Sequence, residues 1–357
     1  MKIGLFGFPF TGKTTIFCLL TGRDAAAQGG NGGARVGVTK VPDPRLERLT
    51  AMYRPKKKTP ATVEYLDLAG MEKGQAAKVL PLDQLRTADA LTHVVRGFQD
   101  SVPHSEGSID PARDVVAMET EFVLADLIVA EKRVERLEAQ ISKTNRDEDK
   151  NELKLFRHVT KALEEGTPLR DLEFSEQERF LLRGYTFLSL KPLLIAVNAD
   201  ESDTARLAQG ASGFGLDGFS KKPQTEVVAL SAKIESEIAQ LDEEDAQGFM
   251  SDLGIDEPAL NRMIRASYNL LGRISFFTVG QDECRAWTIR KSTPARAAAR
   301  TIHSDIERGF IRAELVGFDD LVSAGSWSAC RDRGTLRLEG KDYVMQDGDV
   351  VDFRFNV

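Results

Sequence analysis

The sequence is poor in the residues that build disulfide scaffolds, metal clusters and membrane spans. Its 357 residues include three cysteines, at positions 18, 284 and 330, in no metal-ligand spacing. This fits a reducing compartment, where structural disulfides are rare. No run of about 18 apolar residues is present, so no membrane-spanning helix is expected. The apolar start is interrupted at Pro9 and does not predict a signal peptide. We therefore expect a cytoplasmic protein.

An excess of basic charge is also missing. The chain has 48 lysines and arginines against 55 aspartates and glutamates, a formal net charge of -7. The molecule as a whole is therefore not a polyanion binder, and no DNA partner is expected; any RNA contact needs a local basic patch. With 41% hydrophobic and 29% charged residues, the composition is typical of a globular protein with two or three domains.

The most informative motif lies near the start of the chain. Residues 7–15, GFPFTGKTT, fit G-x-x-x-x-G-K-[ST] between an apolar strand candidate and an apolar helix candidate. In such a loop, backbone N–H groups and the positive end of the helix dipole surround phosphates. Lys13 would reach the β and γ phosphates, and the Thr14 hydroxyl would bind Mg²⁺. The predicted phosphate-binding residues are Gly7, Phe8, Pro9, Phe10, Thr11, Gly12, Lys13, Thr14 and Thr15.

Further apolar runs predict a sheet behind this loop. Strand candidates occur at 2–6, 36–41, 63–66, 91–96, 193–197 and 226–230, and helical patterns separate most of them. Several polar motifs stand directly after these runs. Ligands bind at the carboxyl ends of the strands in open parallel sheets, so the pattern predicts an α/β P-loop domain with a mostly parallel sheet.

A D-x-x-G motif, Asp67 to Gly70, directly follows the strand candidate at 63–66. At that position an aspartate can hold Mg²⁺ through water, and a glycine lets its N–H approach the γ-phosphate. The alternative is an aspartate that caps the next helix, followed by a turn glycine.

Two other segments predict separate domains. Residues 113–189 carry one run with heptad spacing and then a second amphipathic run, which together predict an antiparallel helical coiled coil. Its charged faces are either solvated or a partner surface. From residue 275 the pattern predicts a small β-rich unit with a helix around 294–307. Its strands are expected near 288, 312–316, 343–344 and 350–355. The predicted domains are 1–112 with 190–274, then 113–189, and finally 275–357.

Together these features resemble one family, the YchF-type Obg-like ATPases. These are Obg-related P-loop nucleotidases that end in a TGS domain of the β-grasp type. The resemblance covers nearly the whole chain, and its most specific matches are residues 41–46, 94–96, 285–288, 309–314 and 339–357. It implies a protein that binds and slowly hydrolyses ATP and regulates a partner in a nucleotide-dependent way. That partner would be the ribosome, or ribosomal RNA.

The resemblance also assigns the nucleotide base site. Asn198 to Glu201 match the family motif N-x-x-E, and Ser231 with Ala232 would complete the site. Guanine-specific proteins have an aspartate at the fourth position, and the longer Glu201 displaces the carboxylate, which favours ATP. Asp200, one position earlier, leaves GTP open.

For hydrolysis, the family has a histidine in the loop after the fourth strand, and His104 matches with a one-residue offset. It would orient or polarise the attacking water, because Met71, which follows Gly70, cannot. The candidate catalytic residues are thus His104, Lys13 and Gly70. The alternative for His104 is an exposed loop histidine without a role.

The chain departs from the family pattern in two places that affect hydrolysis more than binding. Phe10 stands where the family has an asparagine tied to a monovalent cation, and residues 28–35 replace the usual first switch, with Asn31 near the place of the Mg²⁺-binding threonine. Two alternatives therefore stay open: a GTP-binding switch of the same fold, and a nucleotide-stabilised adaptor with little or no hydrolysis. A small-molecule kinase is disfavoured because the insertion predicts a coiled coil, not an arginine-bearing lid. We expect a monomer.

Overall fold

The computed structural model describes residues 1–22, 35–68, 82–104 and 107–356. Its strands are, in chain order, β1 (Lys2–Phe6), β2 (Arg35–Lys40), β3 (Lys57–Thr59), β4 (Thr62–Asp67), β5 (Ala90–Gly97), β6 (Leu193–Ala199), β7 (Thr225–Leu230), β8 (Arg273–Thr278), β9 (Glu283–Arg290), β10 (Phe310–Gly317), β11 (Arg337–Glu339) and β12 (Asp349–Phe355).

The helices of the described residues separate these strands. They are α1 (Lys13–Thr21), α2 (Pro44–Tyr53), α3 (Leu82–Arg86), α4 (Pro111–Thr144), α5 (Asp147–Glu164), α6 (Glu176–Arg183), α7 (Thr204–Ala208), α8 (Asp217–Ser220), α9 (Ala232–Ile238), α10 (Glu243–Asp252), α11 (Ala259–Leu270), α12 (Ala295–Ile302), α13 (Ser304–Arg308), α14 (Phe318–Ala324) and α15 (Trp327–Asp332). Residues 1–39 and 64–266 form one unit, and residues 40–63 and 267–357 form a second.

The first unit is built on a six-stranded sheet in the order β2-β4-β1-β5-β6-β7. The neighbouring pairs β4–β1, β1–β5, β5–β6 and β6–β7 are parallel. Every residue of β5 and β6 is buried, as expected for central strands covered on both faces. The predicted α/β fold with a mostly parallel sheet is confirmed. Consequently the carboxyl ends of β1, β4, β5, β6 and β7 lie at one edge, where the predicted site residues follow.

The helical arm, formed by α4 and α5, confirms the predicted pair of helices. Asp110 caps α4 by accepting a hydrogen bond from Arg113 N at 3.1 Å, and α4 then runs for 34 residues. Its first part packs into the core of the sheet through Val115, Met118 and Phe122. The later part packs on α5 in a second apolar cluster of Val123, Ala130, Leu137, Leu155, Phe156, Val159 and Leu163. One continuous helix therefore belongs to both the sheet core and the arm.

The second unit has a six-stranded sheet in the order β11-β10-β12-β8-β9-β3. The β8–β9 hairpin, the helix α12 and the strands β10 to β12 give the arrangement of a β-grasp fold, as predicted. A strand was expected at residues 343–344, but Val344 alone forms an isolated bridge, with Pro294; an edge of the described sheet is instead β11. The predicted helix around 294–307 is divided into α12 and α13 at His303.

Residues 40–63 belong to the second unit, whereas the sequence-based division assigned them to the nucleotide-binding part. Within this unit β3 pairs in parallel with β9, and Arg45 of α2 donates to Asp347 at 2.8 and 3.2 Å. Arg45 also contacts the carboxylate of Asp43, and its guanidinium lies 5.2 Å from the ring centroid of Phe277. These contacts explain the distinctive sequence at 41–46 as a structural element of this unit.

Candidate nucleotide-binding site

The loop between β1 and α1 needs glycine at two positions. Gly7 has φ +146°, and a Cβ there would lie 2.3 Å from the carbonyl oxygen of Val94. Gly12 has φ +87°, and a Cβ there would lie 2.3 Å from Nδ2 of Asn198. A side chain would therefore meet both the disfavoured dihedral and a direct clash. The two glycines hold the loop close to the ends of β5 and β6.

Lys13 is buried at the first position of α1, with 6% of its surface exposed. Its Nζ donates a hydrogen bond of 2.7 Å to the carbonyl oxygen of Phe8, which also accepts one of 3.2 Å from the Thr11 hydroxyl. Burial lowers the pKa of Lys13 to about 8, and the negative charge of Asp67 offsets part of that effect. The ammonium group is thus held under the loop in a poorly solvated position.

Thr14 and Asp67 meet beside Lys13. The Thr14 hydroxyl donates to Oδ2 of Asp67 at 3.2 Å, joining α1 to the end of β4. Burial raises the pKa of Asp67, while the Thr14 hydrogen bond and the charge of Lys13 lower it. Within the part of the chain that the structure describes, Oδ1 of Asp67 is a buried oxygen with no hydrogen-bond partner.

This donor set fits Mg²⁺. A hydroxyl and a carboxylate are hard oxygen ligands, and the unsatisfied Asp67 oxygen has a remaining lone pair to offer. No group of three or more His, Cys, Asp or Glu side chains that could hold a metal occurs among the described residues. An ion here would therefore take its other ligands from water and phosphate oxygens, which is how Mg²⁺ is usually bound.

Asn198, at the end of β6, connects two of the predicted loops. Its Nδ2 donates to the carbonyl oxygen of Thr11 at 3.1 Å, and its Oδ1 accepts from Ala232 N at 2.9 Å. Ser231 caps α9 through its hydroxyl, which accepts from Ile234 N. The structure therefore brings the phosphate loop, the N-x-x-E motif and the 231–232 turn together, as the sequence predicts.

The two carboxylates of the N-x-x-E motif are in different environments. Glu201 forms an ion pair with Lys233, and its side chain is 41% exposed. Oδ1 of Asp200 instead accepts hydrogen bonds from the backbone and hydroxyl of Ser202, at 3.0 and 2.7 Å, and these lower the pKa of Asp200. Asp200 thus stabilises its own turn, whereas Glu201 is partly exposed and has a basic partner.

His104 is not the exposed loop histidine considered above. Its side chain is 1% exposed, and Nε2 lies 2.9 Å from Oδ2 of Asp114 in the first turn of α4. The imidazole also contacts the ring of Phe8 edge-on, with 6.0 Å between the ring centroids. His104 therefore contacts the phosphate loop through Phe8.

Two residues near His104 were not singled out by the sequence reasoning. Asp114 gave only the signal of an acidic residue at a helix start. Arg96 was part of a family match without a role; it is fully buried and donates to the carbonyl oxygens of Phe98 and Val102 at 3.1 and 3.0 Å. Arg96 thereby shapes the loop that leads to His104.

The remaining predicted positions differ in how far the structure describes them. Pro9 is half-buried, Thr15 is exposed, and Phe10 is 63% exposed with φ +60°, a left-handed conformation that is uncommon for phenylalanine. Gly70, Met71 and residues 28–34 of the predicted first switch lie outside the described residues.

The chain is similar to known proteins over its whole length. A ribosome-binding ATPase YchF of Bacillus subtilis (strain 168) is 39% identical over 370 residues, which cover all of both chains. A protein of the same name from Escherichia coli O157:H7 is 36% identical over 378 residues, covering all of this chain and 99% of the relative. The chain belongs to the YchF family. The family model YchF-GTPase_C, described as a protein of unknown function (DUF933), matches residues 273–356.

The YchF fold extends over the full length of the chain. The structure of the Schizosaccharomyces pombe YchF GTPase superposes with a TM-score of 0.88 and 30% identity, covering 99% of this chain and 97% of that one. The resemblance identified from the sequence is therefore confirmed. In the described ranges, no helix of this YchF-family chain is long and apolar enough to cross a membrane.

Proposed function

We propose that this protein binds ATP, hydrolyses it slowly and uses its nucleotide state to regulate attachment to the ribosome. The observation that carries the proposal is the convergence of Lys13, Thr14 and Asp67 at the ends of β1 and β4. The names of the bacterial relatives, ribosome-binding ATPase, support the same reading. Such a protein would work among the ribosomes of the cytoplasm.

Different residues of the site would bind the phosphates and the Mg²⁺ ion. Backbone N–H groups of residues 7–14 and the start of α1 would hold the phosphates. Lys13, released from the Phe8 carbonyl, would move its ammonium group onto phosphate oxygens, a better acceptor for a cation. Thr14 and Asp67 would hold Mg²⁺, which neutralises phosphate charge when it is bound.

The base site favours ATP over GTP. Guanine presents two donors that a short aspartate accepts; Glu201 at this position is longer and is paired with Lys233. The neighbouring Asp200 is committed to Ser202, so it does not replace the missing aspartate without giving up two hydrogen bonds. A base left with unmatched polar groups binds much more weakly. The Schizosaccharomyces pombe relative is named a GTPase, so GTP is the competitor to test.

A nucleotide-stabilised adaptor is the second candidate function. It is favoured by the burial of His104, whose side chain is 1% exposed and does not face open solvent in the described structure. In the ATPase, His104 would orient the attacking water from the loop after β5; in the adaptor, it would only fasten that loop to α4.

Binding is tested by titrating ATP against GTP with the wild-type protein and Lys13→Ala. We expect ATP to bind at least tenfold more tightly than GTP. Lys13→Ala should weaken ATP by about tenfold or more, since a hydrogen bond to a charged group is worth about 1.5–3 kcal/mol. Lys2→Ala removes an exposed lysine at the other end of β1 and should leave ATP affinity unchanged. Tighter binding of GTP would refute the choice of nucleotide.

Hydrolysis and partner are tested separately. Single-turnover phosphate release should be faster in the wild-type protein than in Lys13→Ala, and identical traces would favour the adaptor. Co-sedimentation with ribosomes should change between ATP, ADP and nucleotide-free protein. Equal sedimentation in all three states would contradict nucleotide-dependent regulation.

A further inference from the structure

The helices α12 and α13 of the second unit lie in a stretch with a local excess of basic charge. Residues 290–308 contain five arginines and lysines against two acidic residues, in a chain whose formal net charge is -7. An RNA contact made by such an acidic chain needs a local basic patch. The proposed attachment to the ribosome leaves the contacting surface open, and this stretch is a candidate for it.

The helix α12 has one side in the core and one in solvent. Ala295, Ala298 and Ala299 are buried in the apolar cluster of the β-grasp sheet. Arg296 and Arg300, one helical turn apart, are exposed. The short alanines bring the helix close to the sheet, and the two guanidinium groups are left on its solvent side.

Two neighbouring basic residues extend this charge beyond α12. The backbone N–H of Arg296 donates to the carbonyl oxygen of Lys341 at 3.2 Å, so Lys341 lies beside the first turn of the helix. Nε of Arg296 donates to the carbonyl oxygen of Glu307 in α13 at 3.2 Å, and Arg308 is the next residue. The four exposed residues Arg296, Arg300, Arg308 and Lys341 are called the basic face below.

The carboxylates at the basic face compensate only part of its charge. An oxygen of Glu307 lies 3.6 Å from Nε of Arg300, and Asp305 pairs with Arg308. The two arginine side chains are 73% and 75% exposed, and ion pairs this exposed are weak. Arg296 donates only to a carbonyl oxygen and has no carboxylate partner among the described residues. The face therefore keeps a positive charge that a polyanion can neutralise.

The surroundings of the arginines favour an RNA backbone over a protein partner. The other exposed side chains on the solvent side of α12 are the short Ala297 and Thr301. In α12 and α13, which the structure describes in full, no large apolar side chain is exposed. Protein interfaces bury an apolar core, whereas nucleic-acid interfaces are polar and positively charged. Arginine also binds phosphate through two parallel N–H groups.

We propose that the basic face binds the phosphate backbone of RNA and is the part of the second unit that contacts the ribosome. This inference rests on the proposed attachment to the ribosome. Phosphate contacts position a protein on a nucleic acid without reading its sequence. Binding should therefore depend on salt concentration and not on nucleotide sequence.

The test measures binding of the full-length protein to a fluorescein-labelled single-stranded RNA of about 20 nucleotides, longer than one protein site usually covers. Four phosphate contacts on a single strand give a slope of log K against log salt of about −2.8, so affinity should fall about fiftyfold between about 50 and 200 mM salt. Arg296→Ala combined with Arg300→Ala removes two contacts and should reduce the slope to about −1.4. An RNA of unrelated sequence and equal length should give the same values.

Two further variants separate the effect of charge from damage to the fold. Glu307→Gln removes the carboxylate beside Arg300 and should tighten RNA binding by up to about fivefold, a gain that misfolding does not produce. Lys56→Ala is the matched control, because Lys56 belongs to the same unit, is 82% exposed and pairs with Asp282 outside the basic face. It should leave the affinity and the slope unchanged. Circular dichroism establishes that each variant is folded.

Unchanged RNA affinity in the double arginine variant, or weaker binding by Glu307→Gln, would overturn the RNA-binding role. Polyglutamate is added as a competitor at equal charge concentration. Competition as strong as that of unlabelled RNA would assign the face to an acidic protein and refute the choice of RNA.

Co-sedimentation with ribosomes distinguishes this inference from the proposed function. If the wild-type protein binds RNA as expected but does not co-sediment, ribosome attachment is refuted and the RNA-binding face stands. If the wild-type protein and the double arginine variant co-sediment equally, attachment stands and the basic face is not the ribosomal contact.

Discussion

We expect Lys13 to make the affinity for ATP depend on pH in the alkaline range. Burial under the phosphate loop lowers its pKa from 10.5 to about 8 in the nucleotide-free protein. Phosphate oxygens around the ammonium group would raise the pKa again, to its ordinary value or above. Binding above pH 8 must therefore take up a proton at Lys13, and this uptake is the perturbation to measure.

The magnitude follows from the two pKa values. Affinity should be constant below pH 8 and fall about tenfold for each further pH unit, up to the pKa of the bound state. The total over the 2.5 units between about 8 and 10.5 is about 3 kcal/mol. The sign is opposite for folding: since the unfolded chain binds more protons in this window, the free energy of unfolding of the nucleotide-free protein should rise with pH.

Calorimetric titration with ATP at pH 7 and pH 9, in two buffers of different ionisation enthalpy, measures the proton uptake directly. We expect nearly none at pH 7 and close to one proton per ATP at pH 9. ATP itself does not interfere, because its terminal phosphate titrates near pH 6 to 7, far below this window. Lys13→Arg carries its charge throughout and should abolish the uptake.

A flat affinity between pH 8 and 9.5, with heats that do not depend on the buffer, would refute the reasoning. It would mean that the ammonium of Lys13 is already fully charged in the free protein. Its hydrogen bond to the Phe8 carbonyl would then stabilise the charge more than burial opposes it.

Two other predictions concern buried polar groups. Asn198→Ala should lower the free energy of unfolding by about 1–3 kcal/mol and weaken ATP binding, because Ala232 N and the Thr11 carbonyl lose their partner; denaturant titration checks it, and Asn198→Asp should retain the Ala232 bond. Hydrogen bonds from Arg354 and Arg312 lower the pKa of Glu314 to about 2. The Glu314 carboxylate therefore adds to the free energy of unfolding above about pH 4.5, and this stabilisation is lost as the pH falls to 2. Glu314→Gln should flatten this part of the plot of unfolding free energy against pH.

The sequence predicted the parts of the fold that local chemistry determines. Glycine at 7 and 12 is required by positive φ and close approach, and these requirements are visible as a motif. The buried parallel strands appear as continuous apolar runs, since both faces are covered. Asn198 was predicted from its motif, and the structure adds the reason: its amide bonds to two loops at once.

The missed features depend on contacts between distant residues. β3, Lys57–Thr59, has no apolar alternation, because it is an exposed edge strand held mainly by pairing with β9 and by ion pairs such as Lys57 with Glu283. Asp114 looked like any aspartate at a helix start, and nothing local in the sequence reveals that His104 lies against it. Such pairs are specified by the packed fold and not by spacing.

The phosphate loop and His104 differ in whether their positions depend on the helical arm. The loop packs closely on β5 at Gly7 and on Asn198 of β6 at Gly12, and Asn198 also donates a hydrogen bond to it. None of these contacts involves the arm, so the conformation of the loop is independent of the arm. Phe10 fits this view, since its exposed side chain leaves the backbone groups of the loop in place. His104, by contrast, is attached to the first turn of α4 through Asp114. Because the proposed function gives His104 a role in hydrolysis, we expect substitutions at the base of the arm to alter turnover before they alter affinity.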